Sequence, residues 1–79
     1  MNKRSREILS QLITKTEYSQ TISIQELADM FKVSSRTIRY DIDQINDYLK
    51  ENHLQPLNLG KRGVINTEPD ITKARESLS

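Results

Sequence analysis

The sequence predicts a mainly α-helical domain with a small β-hairpin, three helices followed by a C-terminal hairpin. Three observations carry that expectation. Apolar residues recur at helical spacing in three stretches, Ile8-Leu9-Leu12-Ile13, Leu27-Ala28-Phe31 and Ile38-Ile42-Ile45-Leu49. Serines stand where the second and third helices should begin. Beyond Pro56 the pattern changes to two short apolar runs around Gly60-Lys61-Arg62-Gly63.

The first helix should run over residues 3–16, with Asn2 or Ser5 able to cap its start. Thr16 to Thr21 is polar and reads as a loop, and Thr21-Ile22-Ser23 is β-prone enough for a very short strand. Ser23-Ile24-Gln25-Glu26 is a capping-box sequence. The serine hydroxyl can accept from the third helical amide while the glutamate reaches back to the serine amide. This second helix must stop at Phe31 or Lys32, because Val33-Ser34-Ser35 reads as a turn followed by a new cap.

Ser34 is the expected cap of the third and longest helix. Its apolar residues repeat at 4-3-4 spacing, which keeps them in one narrow stripe. It should fade near Asn52-His53, ahead of Pro56, since a residue before proline resists helix. Leu57, Leu59, Val64 and Ile65 then supply the hairpin, with both glycines free to take the positive φ of a tight tip. Glu68-Pro69-Asp70 breaks the pattern again, and Ile71 to Leu78 reads either as a short helix begun by Asp70 or as a frayed tail. Residues 1–67 therefore read as one domain, and 68–79 as a linker or the start of a following segment. Helix, short strand, helix, tight turn, long helix and hairpin is the layout of a winged helix-turn-helix.

Bulk properties narrow the function. Seventy-nine residues make at most one domain, too small for a deep active-site cavity. Cysteine is absent, so there is neither a disulfide nor a thiolate metal site, and a cytoplasmic location is the default. No apolar run exceeds a pair of residues, whereas a membrane span needs about 20. His53 is a lone histidine with no cysteine or second histidine to work with, and it reads as a surface or helix-cap residue. Gly60-Lys61-Arg62-Gly63 lacks the spacing and the hydroxyl residue of a phosphate-binding loop. An enzyme, a metal site, a cofactor and a small-molecule substrate are all unexpected.

A net charge of +1 does not announce nucleic acid, but the distribution of charge does. Residues 1–16 hold Lys3, Arg4, Arg6 and Lys15 against Glu7, and the hairpin holds Lys61 and Arg62 with no acid beside them. Acids gather at Asp41, Asp43, Asp47 and Glu51. At about 100° per residue, Arg36, Tyr40, Asp43 and Asp47 fall opposite the buried stripe of the third helix, with Thr37 and Arg39 on its flanks. The outer face is thus basic and polar at its start and acidic towards its end. Carboxylates repel phosphates, so the N-terminal end must be the part that enters a major groove, as recognition helices do.

Arg36 is the first candidate for a base contact, because a guanidinium can bond guanine O6 and N7 together. Arg39 suits a base or a phosphate. Tyr40 suits a phosphate through its hydroxyl or a thymine methyl through its ring. Ser34, Ser35 and Thr37 suit phosphates, which position a protein without reading sequence. Lys61 and Arg62 at a projecting tip suit a minor groove or flanking phosphates. Lys3, Arg4 and Arg6 read more simply as a solvated helix start, and Asp41, beside the buried stripe, as a structural residue pairing with an arginine or capping amides. An exposed face with Arg, Tyr and Asp is common without any ligand; the short helix, tight turn and basic hairpin together favour double-stranded DNA.

The stretch Ile22 to Ile42, ISIQELADMFKVSSRTIRYDI, resembles the helix-turn-helix of bacterial sugar-operon regulators. Val33 to Ile42 resembles their VS-x-RTI-x-x-DL core, which DeoR-type repressors and, more loosely, the biotin repressor share. The extension through Ile45-Asn46-Asp47-Tyr48-Leu49 to the glycine-bounded hairpin is most similar to the N-terminal domain of activators carrying phosphotransferase-system regulation domains, the mannitol-activator and BglG-related group. The resemblance covers residues 5–67. It implies DNA binding within a transcriptional activator or antiterminator of carbohydrate use, with histidine-phosphorylated domains following and a homodimer in the full-length regulator. Lys32 departs from the Gly or Asn usual at the turn, so that turn is expected to differ slightly. The alternative is a winged helix used for protein–protein contact or dimerisation, which would be expected to lose the cations at Arg36, Arg39, Lys61 and Arg62.

Overall fold

The computed structural model of the chain describes residues 1–78. Helix α1 spans Lys3–Glu17, strand β1 Ile22–Ser23, α2 Ile24–Phe31 and α3 Ser35–Glu51. Strands β2 (Asn58–Leu59) and β3 (Val64–Asn66) follow, then a 3₁₀ segment, Pro69–Lys73, and the short helix α4, Ala74–Leu78. The fold is a winged helix-turn-helix, mainly helical with a small antiparallel sheet.

The caps explain the helix starts. The Asn2 side chain accepts from the Ser5 amide at 2.7 Å, so Asn2 caps α1. Ser5 is instead buried, its hydroxyl bonded to the Asn2 carbonyl and to Gln44. The capping box of α2 is complete: Ser23 accepts from the Glu26 amide at 3.1 Å, and Glu26 accepts from the Ser23 amide at 3.0 Å. Ser34 caps α3 by accepting from the Thr37 amide at 3.1 Å.

Helix α2 ends at Lys32, which takes left-handed backbone with φ 57° and ψ 45°. The expected departure at this turn does not occur. Lysine adopts the conformation that glycine takes more cheaply, because the Val33 amide must return to the Ala28 carbonyl at 3.0 Å.

The hairpin is part of a three-stranded sheet of order β1-β3-β2. Ile22 pairs with Ile65 and Ser23 with Val64, so the short strand before α2 anchors the wing. Asn58 pairs with Asn66 and Leu59 with Ile65. Leu57 is buried and Leu59 is 44 % exposed, so the first arm of the wing contributes one core residue instead of two.

The core joins Ile8, Leu9, Leu12 and Ile13 of α1 to Leu27 of α2 and the stripe Ile38, Ile42, Ile45 and Leu49 of α3. Residues 69–78, read from sequence as lying beyond the winged domain, add Ile71 and Ala74 to the same core, each 1 % exposed. They begin as a 3₁₀ turn after Glu68, not as a helix capped by Asp70. Arg75 holds α4 to α1 through Glu17 at 2.7 Å. No helix among the described residues is long and apolar enough to cross a membrane.

Candidate nucleic-acid interface

The orientation of α3 is set from inside. Its stripe is 0–3 % exposed, which turns Arg36, Arg39 and Tyr40 outward. A partly buried ion pair adds a second constraint. Asp41 is fully buried, and Arg4 meets it with two bonds, Nε to Oδ2 at 2.5 Å and Nη2 to Oδ1 at 3.2 Å. The hydrogen bond that Arg4 donates to Asp41 raises its guanidinium above the ordinary pKa, against an opposing effect of burial. A bidentate arginine–carboxylate contact fixes angle as well as distance. The pair therefore ties the start of α1 to the middle of α3, and Arg4 is a structural residue of the fold.

The sequence-predicted residues divide by what they already do. Ser34 is exposed but committed: its oxygen caps α3 and lies 3.0 Å from the Thr37 hydroxyl. Thr37 is half-buried beside it. Ser35, also half-buried, donates to Gln25 at 3.3 Å, across the turn between α2 and α3. Arg36, Arg39, Lys61 and Arg62 are exposed, and Tyr40 is 59 % exposed. None of these five forms an ion pair or side-chain hydrogen bond among the described residues.

The wing is aimed by two devices. β1 pairs with β3 directly before α2, and the Cβ position of Gly63 lies 3.7 Å from Ile24 Cβ, at the first residue of α2. The Asn46 side chain on α3 accepts from the Leu57 amide at 2.8 Å and donates to the Leu57 carbonyl at 3.5 Å. An asparagine here imitates a strand partner and pins the wing root to α3.

The tip itself corrects the sequence reading. Gly63 has φ 71°, but Gly60 has φ −94°, and the second left-handed residue is Arg62 at φ 60°. At Gly60 a Cβ would lie 2.7 Å from Asn66 Nδ2, the end of an exposed side chain that would have to turn aside.

The α2 N-terminus thus has the wing tip on one side, through Ile24 and Gly63, and the start of α3 on the other, through Gln25 and Ser35. Unpaired cations stand on both sides of it. The sequence model of the HTH domain family matches residues 4–55. The chain belongs to the HTH domain family. Membership supports DNA binding of the helix-turn-helix type, and the match takes in all of α2, the turn and α3. No curated protein matches the chain, and no solved structure does.

Sequence reasoning missed three positioning residues. Arg4 was grouped with solvated cations because its partner is 37 residues away. Asn46 carried no motif, and Gln25 was seen only inside the capping box. The polar residue Asn46, flanked by the buried Ile45 and the exposed Asp47, gave a faint signal.

Proposed function

We propose that this HTH domain binds double-stranded DNA sequence-specifically, as the DNA-binding domain of a bacterial transcriptional regulator of carbohydrate uptake or use. The observation that carries the DNA reading is the pair of unpaired cation groups, Arg36 with Arg39 and Lys61 with Arg62, flanking one helix N-terminus. The carbohydrate context rests on the resemblance of residues 5–67 to sugar-operon regulators. In this reading the first two turns of α3 enter the major groove. Arg36 reads a base, Arg39 a base or phosphate, and Tyr40 a phosphate or thymine methyl. Ser34, Ser35 and Thr37 approach phosphates with the free amides of the α3 N-terminus, and Lys61 and Arg62 grip the flanking backbone. Asp43 and Asp47, exposed further along α3, keep its far end out of the groove.

The test is titration of labelled duplex DNA at several salt concentrations, for the wild type and for Arg36→Ala/Arg39→Ala. Binding should weaken with salt by about 0.9 log units per phosphate contact. The double substitution should lower affinity at least roughly tenfold, since a lost bidentate base contact alone is worth about 1–3 kcal/mol. Equal binding by variant and wild type would remove α3 from the interface.

A further inference from the structure

Two different parts of the fold pack against the two sides of α3. At about 100° per residue, Thr37, Asp41 and Gln44 lie along one side of its outward face, and Arg39 and Asn46 along the other. A contact on each side shows what packs there. Asn46 holds the Leu57 backbone, so the wing stands on its side. Asp41 holds Arg4, and Gln44 accepts from the Ser5 hydroxyl at 3.3 Å, so the start of α1 stands on the other. Arg36 and Tyr40 face outward between them.

The three cations at the start of α1 differ in what they can reach. Arg4 is half-buried and spends its charge on Asp41. Arg6 borders a groove with Tyr48, Ser77 and Leu78, beside the later turns of α3 and the C-terminal helix. Of the two free cations only Lys3 also borders a groove with Phe31 and Val33, at the end of α2 and in the turn that leads directly to the Ser34 cap. Lys3 is exposed and forms no ion pair or side-chain hydrogen bond among the described residues. Glu7, the one acid bordering the same groove, is a helical turn further on and does not pair with it. A cation in the first turn of a helix is opposed by the helix dipole. Neither its own helix nor a described neighbour therefore accounts for Lys3.

We propose that Lys3 binds a DNA phosphate on the backbone across the major groove from the one gripped by the wing. The inference rests on the DNA reading above. A major groove is about 12 Å wide and a helix with its side chains about 10–12 Å across. A helix seated there has one sugar-phosphate backbone along each side. The wing, with Lys61 and Arg62, overlies the first. The start of α1 overlies the second, and Lys3 is the free cation there that borders the turn into α3. Phosphate contacts fix orientation without reading sequence. Cations on one side alone would draw that side of α3 inward, whereas cations on both sides hold Arg36 square to the bases. The Arg4–Asp41 pair, one residue away, holds Lys3 in place against α3.

The test is a titration of the 79-residue chain into duplex DNA at several salt concentrations, for the wild type, Lys3→Gln, Lys3→Arg and Arg6→Gln. Both positions are exposed, and losing a cation relieves a helix start, so circular dichroism should show every variant folded. Lys3→Gln should weaken binding and lower the slope of log affinity against log salt by about 0.9, one phosphate contact. Lys3→Arg and Arg6→Gln should keep the wild-type slope. Phosphate ethylation interference, on a duplex selected from a random pool, then places the contact. Lys3→Gln should lose sensitivity at a phosphate of one strand, and Lys61→Gln/Arg62→Gln at phosphates of the other. A wild-type slope in Lys3→Gln overturns the proposal. So does an equal fall in Arg6→Gln, which would make total charge the cause, and so does loss of sensitivity on the strand that the wing variant also loses. In each of these cases the effect of Arg36→Ala/Arg39→Ala still carries the DNA reading. A wild type that binds no duplex at low salt removes both.

Discussion

The recognition helix and the wing present the same kind of side chain by different means. Arg36 and Arg39 stand on a regular helix whose buried stripe, serine cap and Arg4–Asp41 pair leave little freedom of rotation. Lys61 and Arg62 stand on a tip between strands of two and three residues, with Arg62 itself in left-handed backbone. The helix obtains its precision from its own periodicity. The wing obtains its direction from elsewhere, from β1 and from Asn46 on α3. On the proposed reading this difference matches a division of labour. Contacts that read bases need angular precision, whereas contacts to phosphates tolerate a looser mount.

The comparison breaks most severely at Arg4. Arg4→Ala leaves the fully buried Asp41 without its cation. The expected result is a clear fall in the urea midpoint, because a buried carboxylate loses its cation. An unchanged midpoint would mean that the pair contributes no more than an exposed one. The wing is the target of Asn46→Ala, which strips both bonds from the Leu57 backbone. That change should cost about 1–2 kcal/mol and speed amide exchange across residues 58–66 while leaving 35–45 protected. Uniform acceleration through α3 would show that Asn46 supports the helix rather than the wing.

The smallest effects sharpen the contrast at the left-handed residues. Lys32→Gly and Arg62→Gly each relieve a side chain at positive φ. Each should stabilise the fold by up to about 1 kcal/mol, read as a raised Tm. Arg62→Gly should also weaken DNA binding and flatten its salt dependence by about one phosphate contact. A stabilised Arg62→Gly with unchanged DNA affinity would take the tip out of the proposed interface.

What was legible in the sequence was what is local. Ser23 and Glu26 are three residues apart, Ser34 precedes its helix directly, and the α3 stripe repeats within one element. These fix where helices begin and which faces turn outward, so the exposure of Arg36, Arg39 and Tyr40 followed. What was not legible depends on distant partners. Arg4 meets Asp41 across 37 residues, and β1 reaches β3 from the other side of both core helices. Ile71 and Ala74 are isolated apolar residues in a polar segment, with no period to show that they pack against α1. At the glycine-bounded tip Arg62 takes a left-handed position while Gly60 stays at φ −94°, which no local residue pattern announces.

On the proposed reading one end of α3 and the wing tip meet DNA together while the acidic end of α3 does not. Mapping backbone amide shifts by NMR during titration with duplex DNA tests it most directly. The expected result is a set of large shifts at Ser34 through Tyr40, Ile24-Gln25 and residues 60–63, with Asp43 through Glu51 nearly still. Shifts centred on Asp43 through Glu51, or absent from both Arg36 and the wing, would contradict it.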